Sequence, residues 1–322
     1  MEAILAETGR MPVKFARLAR RLAALAALAM TAPVLFLYAP DKSRAELEKA
    51  YPGEYRTVDG VRLRLRDTGP RDAPAVIMLH GFLASLDTWE PWARTLSSHY
   101  RVIRFDLPGF GLTGADPTGD YSDARQMKIL NDLMNQLGVA RATLVGNSMG
   151  GKIAWEFAAR HPDRVSREVL VSPAGFESRG LSSTEAPETH LILQALRYFS
   201  PPRGLVRAGL SVAYAHINSL SDATLTRYRD LLLAPGVRQA VLDRANQLHL
   251  RDPDPILARI KAPTLLLWGE KDGVIPISNA ADFLRDLPHA ILVRLPNLGH
   301  LPFEENPAAS IGPLQQFLAD GT

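Results

Sequence analysis

The 322-residue sequence predicts an α/β fold: a mostly parallel, doubly wound sheet flanked by helices, with one helical insertion. Three observations carry this. Short runs that are apolar on both faces recur along the chain. Helix-like segments separate them. One interval of about 90 residues then breaks the alternation, as an inserted cap does.

In chain order, 55–58 and 61–66 alternate in polarity around Asp59-Gly60, a hairpin signal. Their arginines read as one solvated strand face. The continuous apolar runs follow at 75–79, 100–105, 142–145, 168–171, 264–268 and 290–295. Runs without alternation are expected of parallel strands buried on both sides. Helical patterns lie between them at 88–98, 122–137, 152–160, 278–287 and 307–319. The interval from 172 to 264 holds four further helical stretches, at 185–198, 202–217, 222–232 and 236–248. Ligands of open α/β sheets bind beyond the carboxyl ends of the strands. An insertion leaving such an end would roof the site.

The body therefore divides into a core at 54–174 and 251–322 and a helical cap at 175–250. Ahead of it lie a basic tail at 1–21 and a linker at 41–53. Between tail and linker, residues 22–40 contain 19 residues without a charge, LAALAALAMTAPVLFLYAP. That is just long enough for one membrane span. Arg10, Lys14, Arg17, Arg20 and Arg21 precede it, and the positive flank stays cytoplasmic. The expectation is a transmembrane anchor with the N-terminus in the cytoplasm and the body outside, periplasmic in a bacterium. A cleaved signal segment and secretion are the alternative, disfavoured because Pro33 or Pro40 follows the small-residue pairs.

Apolar content of 46% and charged content of 22% are ordinary for a globular protein. The net charge of +3 matches the excess within residues 1–21, which leaves the folded body neutral. Nucleic acid is therefore not an expected partner. The chain has no cysteine, which excludes disulfides, thiol catalysis and cysteine-held metal. Composition leaves the oligomeric state open.

The chemistry centres on Gly146-Asn147-Ser148-Met149-Gly150, between an expected strand and an expected helix. A serine spaced by glycines on a strand-to-helix turn is the nucleophile-elbow pattern. The tight turn strains the serine backbone and demands residues without side chains on either side. Two more candidates follow later strands: Asp272, after 264–268, and His300, after 290–295. The chain order Ser, Asp, His suits a serine triad on this scaffold. His300 is expected to take the Ser148 proton, and Asp272 to orient the imidazole. Glu177 is a weaker alternative for the acid. The backbone N–H groups of Phe82 and Met149 are expected to form an oxyanion hole, each contributing about 3–4 kcal/mol. His80 and Asp106 read as structural residues. This chemistry requires no metal and no organic cofactor.

From about 54 to 320 the chain resembles the α/β-hydrolase superfamily, in its capped serine-hydrolase branch. The matching pieces are His80-Gly81-Phe82, Asp106-Leu107-Pro108-Gly109-Phe110-Gly111, Gly146 to Gly151, Trp268 to Asp272 with Pro276, and Gly299-His300. The resemblance implies an α/β-hydrolase fold and a carboxylic ester hydrolase of esterase or lipase type, working through an acyl-enzyme on Ser148. Ring-cleavage C–C bond hydrolases also carry Gly-Asn-Ser-Met-Gly-Gly and are the main alternative. Against them stand the bulky Phe82-Leu83 and the Leu301-Pro302 that follows the histidine. A non-catalytic binding module is a further alternative, disfavoured because no triad residue is missing. The Leu- and Ala-rich cap, with Tyr198, Phe199, Tyr214 and Tyr228, suggests a small-molecule ester of lipid-like character.

Overall fold

In the computed structural model, residues 38–176, 194, 197–199, 201–248 and 253–320 are described. The proposed anchor falls almost wholly outside them, as do Glu177 and most of the first expected cap helix. Among the described residues no helix is long and apolar enough to cross a membrane.

Eight strands form one sheet: β1 Glu54–Val58, β2 Val61–Thr68, β3 Ala75–Leu79, β4 Arg101–Phe105, β5 Ala142–Asn147, β6 Val165–Val171, β7 Thr264–Gly269 and β8 Ile291–Leu295. Their order is β1-β2-β4-β3-β5-β6-β7-β8. The β1–β2 and β2–β4 pairs are antiparallel, and every pair from β4 to β8 is parallel. The β1–β2 hairpin turns at Asp59 and Gly60, both with positive φ, as the sequence signal requires.

The winding reverses beside β3, since β4 lies on one side of it and β5 on the other. Such a reversal opens a crevice at the carboxyl ends of the neighbouring strands. The loops after β3 and β5 meet there.

The apolar runs from β3 to β7 are buried strands with both faces used, whereas β8, at the edge of the sheet, is half-exposed, with Ile291 open to solvent. Ile77, Leu79, Leu144, Leu170 and Leu266 point into one core cluster. Val76, Met78, Val145, Val169, Val171, Leu265 and Leu267 point into the other. On the first face pack α3, Asp123–Gln136, and α4, Met149–Arg160, through Ile129, Leu130, Leu133, Ile153 and Phe157. On the second pack α2, Glu90–Leu96, and the C-terminal helix Gly312–Ala319, through Trp92, Leu96, Leu314 and Phe317. Full burial of one such large side chain stabilises by about 1.5–3 kcal/mol. The short helix α1, Arg44–Ala50, fixes the linker through Leu47, which is 2% exposed.

The cap contributes α5 Arg203–Leu210, α6 Asp222–Leu232 and α7 Val237–Asn246. Where the sequence suggests one helix over 202–217, the helix ends at Leu210. The residues after it leave the helix because their backbone groups pair with the core instead (Ala213 O with His300 N–H at 2.7 Å). A second difference concerns the hairpin arginines. Arg62 is exposed, but Arg64 is wholly buried. It binds Asp87 through two bonds of 2.8 and 3.0 Å and Asp106 through one of 3.1 Å. An alternating strand shows which positions face inward; it does not show that two acids wait there.

Candidate active site

The turn between β5 and α4 is built as the glycine spacing implies. Ser148 has φ 53° and ψ −118°, a left-handed backbone uncommon outside glycine. A side chain at position 146 would bring its Cβ to 2.4 Å from the Gly150 carbonyl oxygen. One at position 150 would come to 2.2 Å from the Leu79 oxygen. The elbow therefore packs backbone on backbone against the end of β3. Ser148 stands partly exposed at the start of α4, where the first helical N–H groups have no partner within the helix.

His300 and Asp272 meet. The His300 Nδ1 and the Asp272 Oδ2 are 2.7 Å apart, with 5% and 7% of each residue exposed. The other Asp272 oxygen accepts the backbone N–H groups of Val274 (2.8 Å) and Ile275 (2.9 Å). Three donors thus fix the carboxylate in the tight turn after β7. An imidazole bonded this way carries its proton on Nδ1 and leaves Nε2 free as a base.

The histidine loop is tied to the elbow through Asn147. Its side-chain amide donates to the Val171 carbonyl (3.0 Å) and to the His300 carbonyl (3.1 Å). Among the described residues no hydrogen bond joins the Ser148 hydroxyl directly to the imidazole. In resting enzymes that contact commonly tightens only when substrate binds.

The loop after β3 lies against the elbow. A Cβ at Gly81 would sit 3.3 Å from Ser148 Cβ and 2.9 Å from Asn147 Oδ1, so glycine is required for the approach. Phe82 and Leu83 follow, 39% and 45% exposed, at the mouth of the site. Met149 is the first residue of α4. The Phe82 and Met149 amides therefore belong to two backbones that meet at the serine.

His80 is wholly buried and does not face this chemistry as a base. Its Nε2 accepts the Leu107 N–H at 2.9 Å, so Nδ1 carries the proton and donates to the Gly81 carbonyl at 2.8 Å. Burial holds its pKa down and keeps it neutral. Asp106 shapes the neighbouring loop, accepting the N–H groups of Leu86 (2.7 Å) and Leu112 (2.8 Å). For Asp87, burial acts upward but the Arg64 guanidinium wins and holds the carboxyl below its ordinary range. Both acids act as framework beside the loop after β3.

Two contributors were not legible in the sequence. Asn147 sits inside the motif, but nothing local says that its amide reaches residue 300. Glu305 accepts the Gly299 N–H at 2.8 Å, yet it looks like one of two acids on a surface turn.

A family profile described as the alpha/beta hydrolase fold matches residues 74–307. The chain belongs to the α/β-hydrolase fold family. This α/β-hydrolase is 28% identical, over 86% of its length and 99% of the relative's, to the 2-hydroxy-6-oxo-6-phenylhexa-2,4-dienoate hydrolase of Burkholderia cepacia. It is 26% identical, over 85% of its length and 87% of the relative's, to the monoacylglycerol lipase abhd6-A of Xenopus laevis. Among solved structures, a membrane phospholipase A that is a bacterial virulence factor superposes with a TM-score of 0.71 at 26% identity, covering 96% of this chain and 99% of that one. The hydrolase class is common to all three; the bond that is cleaved is not.

Proposed function

We propose that this α/β-hydrolase cleaves carboxylic esters, in the manner of an esterase or lipase, with Ser148 as nucleophile. His300 takes the hydroxyl proton as Ser148 Oγ attacks the ester carbonyl. The Phe82 and Met149 amides hold the oxyanion of the tetrahedral intermediate. His300 then returns the proton to the leaving alcohol, and an acyl-enzyme remains. Water, deprotonated by the same imidazole, releases the acid and regenerates the serine. Asp272 fixes the tautomer and stabilises the imidazolium.

The observation that carries this reading is the 2.7 Å bond from the imidazole to Asp272, on a loop that Asn147 ties to the strained serine. Asp272 is thus the preferred acid over Glu177. The exposed, bulky Phe82 and Leu83 beside the serine favour an apolar acyl group. The likeness to a phospholipase A over 96% of the chain points the same way. The likeness to a dienoate hydrolase supports C–C bond hydrolysis as the second reading.

Turnover of nitrophenyl esters of graded acyl length, run beside a ring-cleavage dienone, separates the two. Faster turnover of the esters is expected. Faster turnover of the dienone than of every ester would establish the second reading instead.

The same proposal places residues 22–40 in a membrane as a single anchor, with the hydrolase body outside. Full-length mass in a membrane fraction is the expected result; a shortened, soluble species would show cleavage and secretion.

A further inference from the structure

The cap does more than roof the site. Segment 212–216, directly after α5, lies backbone to backbone against the loops of both Asp272 and His300. Gly273 donates its N–H to the Val212 carbonyl at 3.2 Å, and His300 donates its own to the Ala213 carbonyl at 2.7 Å. Neighbouring carbonyls of one strap thereby hold the acid loop and the histidine loop. Two glycines make this approach possible. A Cβ at Gly273 would lie 2.6 Å from the Val212 oxygen, and one at Gly299 would lie 2.4 Å from the Ala213 oxygen.

The strap is closed from its other end by one carboxylate. Glu305 is 9% exposed. One of its oxygens accepts the N–H groups of Gly299 (2.8 Å) and Ala215 (3.1 Å), and the other accepts that of His216 (2.7 Å). A single charged acceptor thus joins the residue before the histidine to the cap. Bonds to an ionised acceptor are roughly twice as strong as neutral ones. The adjacent Glu304 makes a contrast. Its carboxylate binds the Tyr214 hydroxyl (3.1 Å), the Tyr228 hydroxyl (2.8 Å) and Arg227, all in the cap, and among the described residues it accepts no backbone N–H of either triad loop.

We propose that Glu305 is a positioning residue for His300, acting with cap segment 212–216 to set the imidazole against Asp272. This rests on the triad reading above. Glu305 touches neither substrate nor the reacting atoms. It fixes the backbone from which the imidazole hangs, and small displacements of a reacting group are costly to rate.

The test compares Glu305→Gln with Glu304→Gln in the full chain, on nitrophenyl acetate and on a long-chain nitrophenyl ester, with fluorophosphonate labelling rate and thermal midpoint measured alongside. Glu305→Gln keeps the shape but sets an amide NH2 against a backbone N–H. Its kcat is expected to fall about 10- to 100-fold for both esters at little-changed KM, with labelling slowed in proportion. Glu304→Gln is expected to lower the midpoint and leave kcat within about threefold. Should Glu305→Gln not fold, Glu305→Asp, which keeps the charge and shortens the reach, is expected to lower kcat in the same direction by less. Unchanged kcat in Glu305→Gln or Glu305→Asp, or losses in the two glutamate variants that merely track their midpoints, would overturn the proposal. An inactive, unlabelled wild type would sink the triad reading itself, which distinguishes the two failures.

Discussion

Asn147 donates its side-chain amide to the carbonyl of His300 at 3.1 Å, so the residue before Ser148 holds the loop of His300, 153 positions away in sequence. The ends of β5 and β8, separated in the sheet by β6 and β7, are thereby joined. Replacing Asn147 by Ala removes that tie and the bond to Val171, and strands a buried carbonyl. We expect stability to fall by about 1–3 kcal/mol and kcat by at least about tenfold. Thermal melts and ester kinetics on one preparation check both; unchanged kcat would mean that the tie is structural only.

Asp272→Asn keeps the shape of the turn and two of its three bonds, but offers the imidazole an amide. The imidazole then loses its fixed tautomer and the charge that stabilises its protonated form. A fall in kcat of about 10³–10⁴ is expected, with KM little changed. Steady-state kinetics read this directly. A loss below about tenfold would return Glu177 to consideration as the acid.

Glu168, on β6, gives a pH prediction that does not involve the site. It is wholly buried, and burial pushes its pKa from 4.5 up to about 8; the Thr264 hydroxyl at 3.4 Å, its side chain's one hydrogen-bond partner among the described residues, opposes this only weakly. Below the unfolded value both states hold the proton, and the contribution is fully present. As pH rises towards 8 the unfolded chain releases the proton and the folded one keeps it, so stability declines and then levels off. Each unit of difference corresponds to about 1.4 kcal/mol. Glu168→Gln should flatten this decline and be the more stable form above about pH 8. Urea unfolding of both proteins across that range is the measurement, and parallel curves would refute the assignment.

Arg64→Met tests the framework beside the loop after β3. It leaves Asp106 buried without its guanidinium, and Asp87 with only the more distant Arg66 at 3.7 Å. Breaking a buried ion pair by removing one partner destabilises by about 3–5 kcal/mol. The expected result is a large drop in the urea midpoint, partly relieved at low pH where the acids protonate. A wild-type midpoint would show that Arg66 and the backbone N–H donors to Asp106 suffice to hold the two acids.

The parallel strands from β3 to β7 were legible because burial on both faces leaves few polar residues in the run; β8 carries the same apolar pattern although half-exposed at the sheet edge. All six apolar runs became β3 to β8, each within three residues at its N-terminal end and two at its C-terminal end. The elbow was legible because steric conflict at Gly146 and Gly150 leaves few residues able to stand there. The pairing of Asp272 with His300 was expected because each follows a later strand and the chain order is Ser, Asp, His; the 2.7 Å bond bears it out. Arg64 was misread because strand alternation assigns a face, while the partners that allow a charge to be buried come from 23 and 42 residues away. The early end of α5 was missed for a related reason: the strap at 212–216 trades helical bonds for bonds to residues 273 and 300, which no local pattern encodes.

The most direct test of the central claim is intact-protein mass after brief exposure to a slowly deacylating nitrophenyl ester, followed by peptide mapping, in wild type and in Ser148→Ala. The account predicts one acyl adduct per wild-type chain, mapped to Ser148, and none on the variant. An adduct on another residue, or full ester turnover by Ser148→Ala, would contradict it.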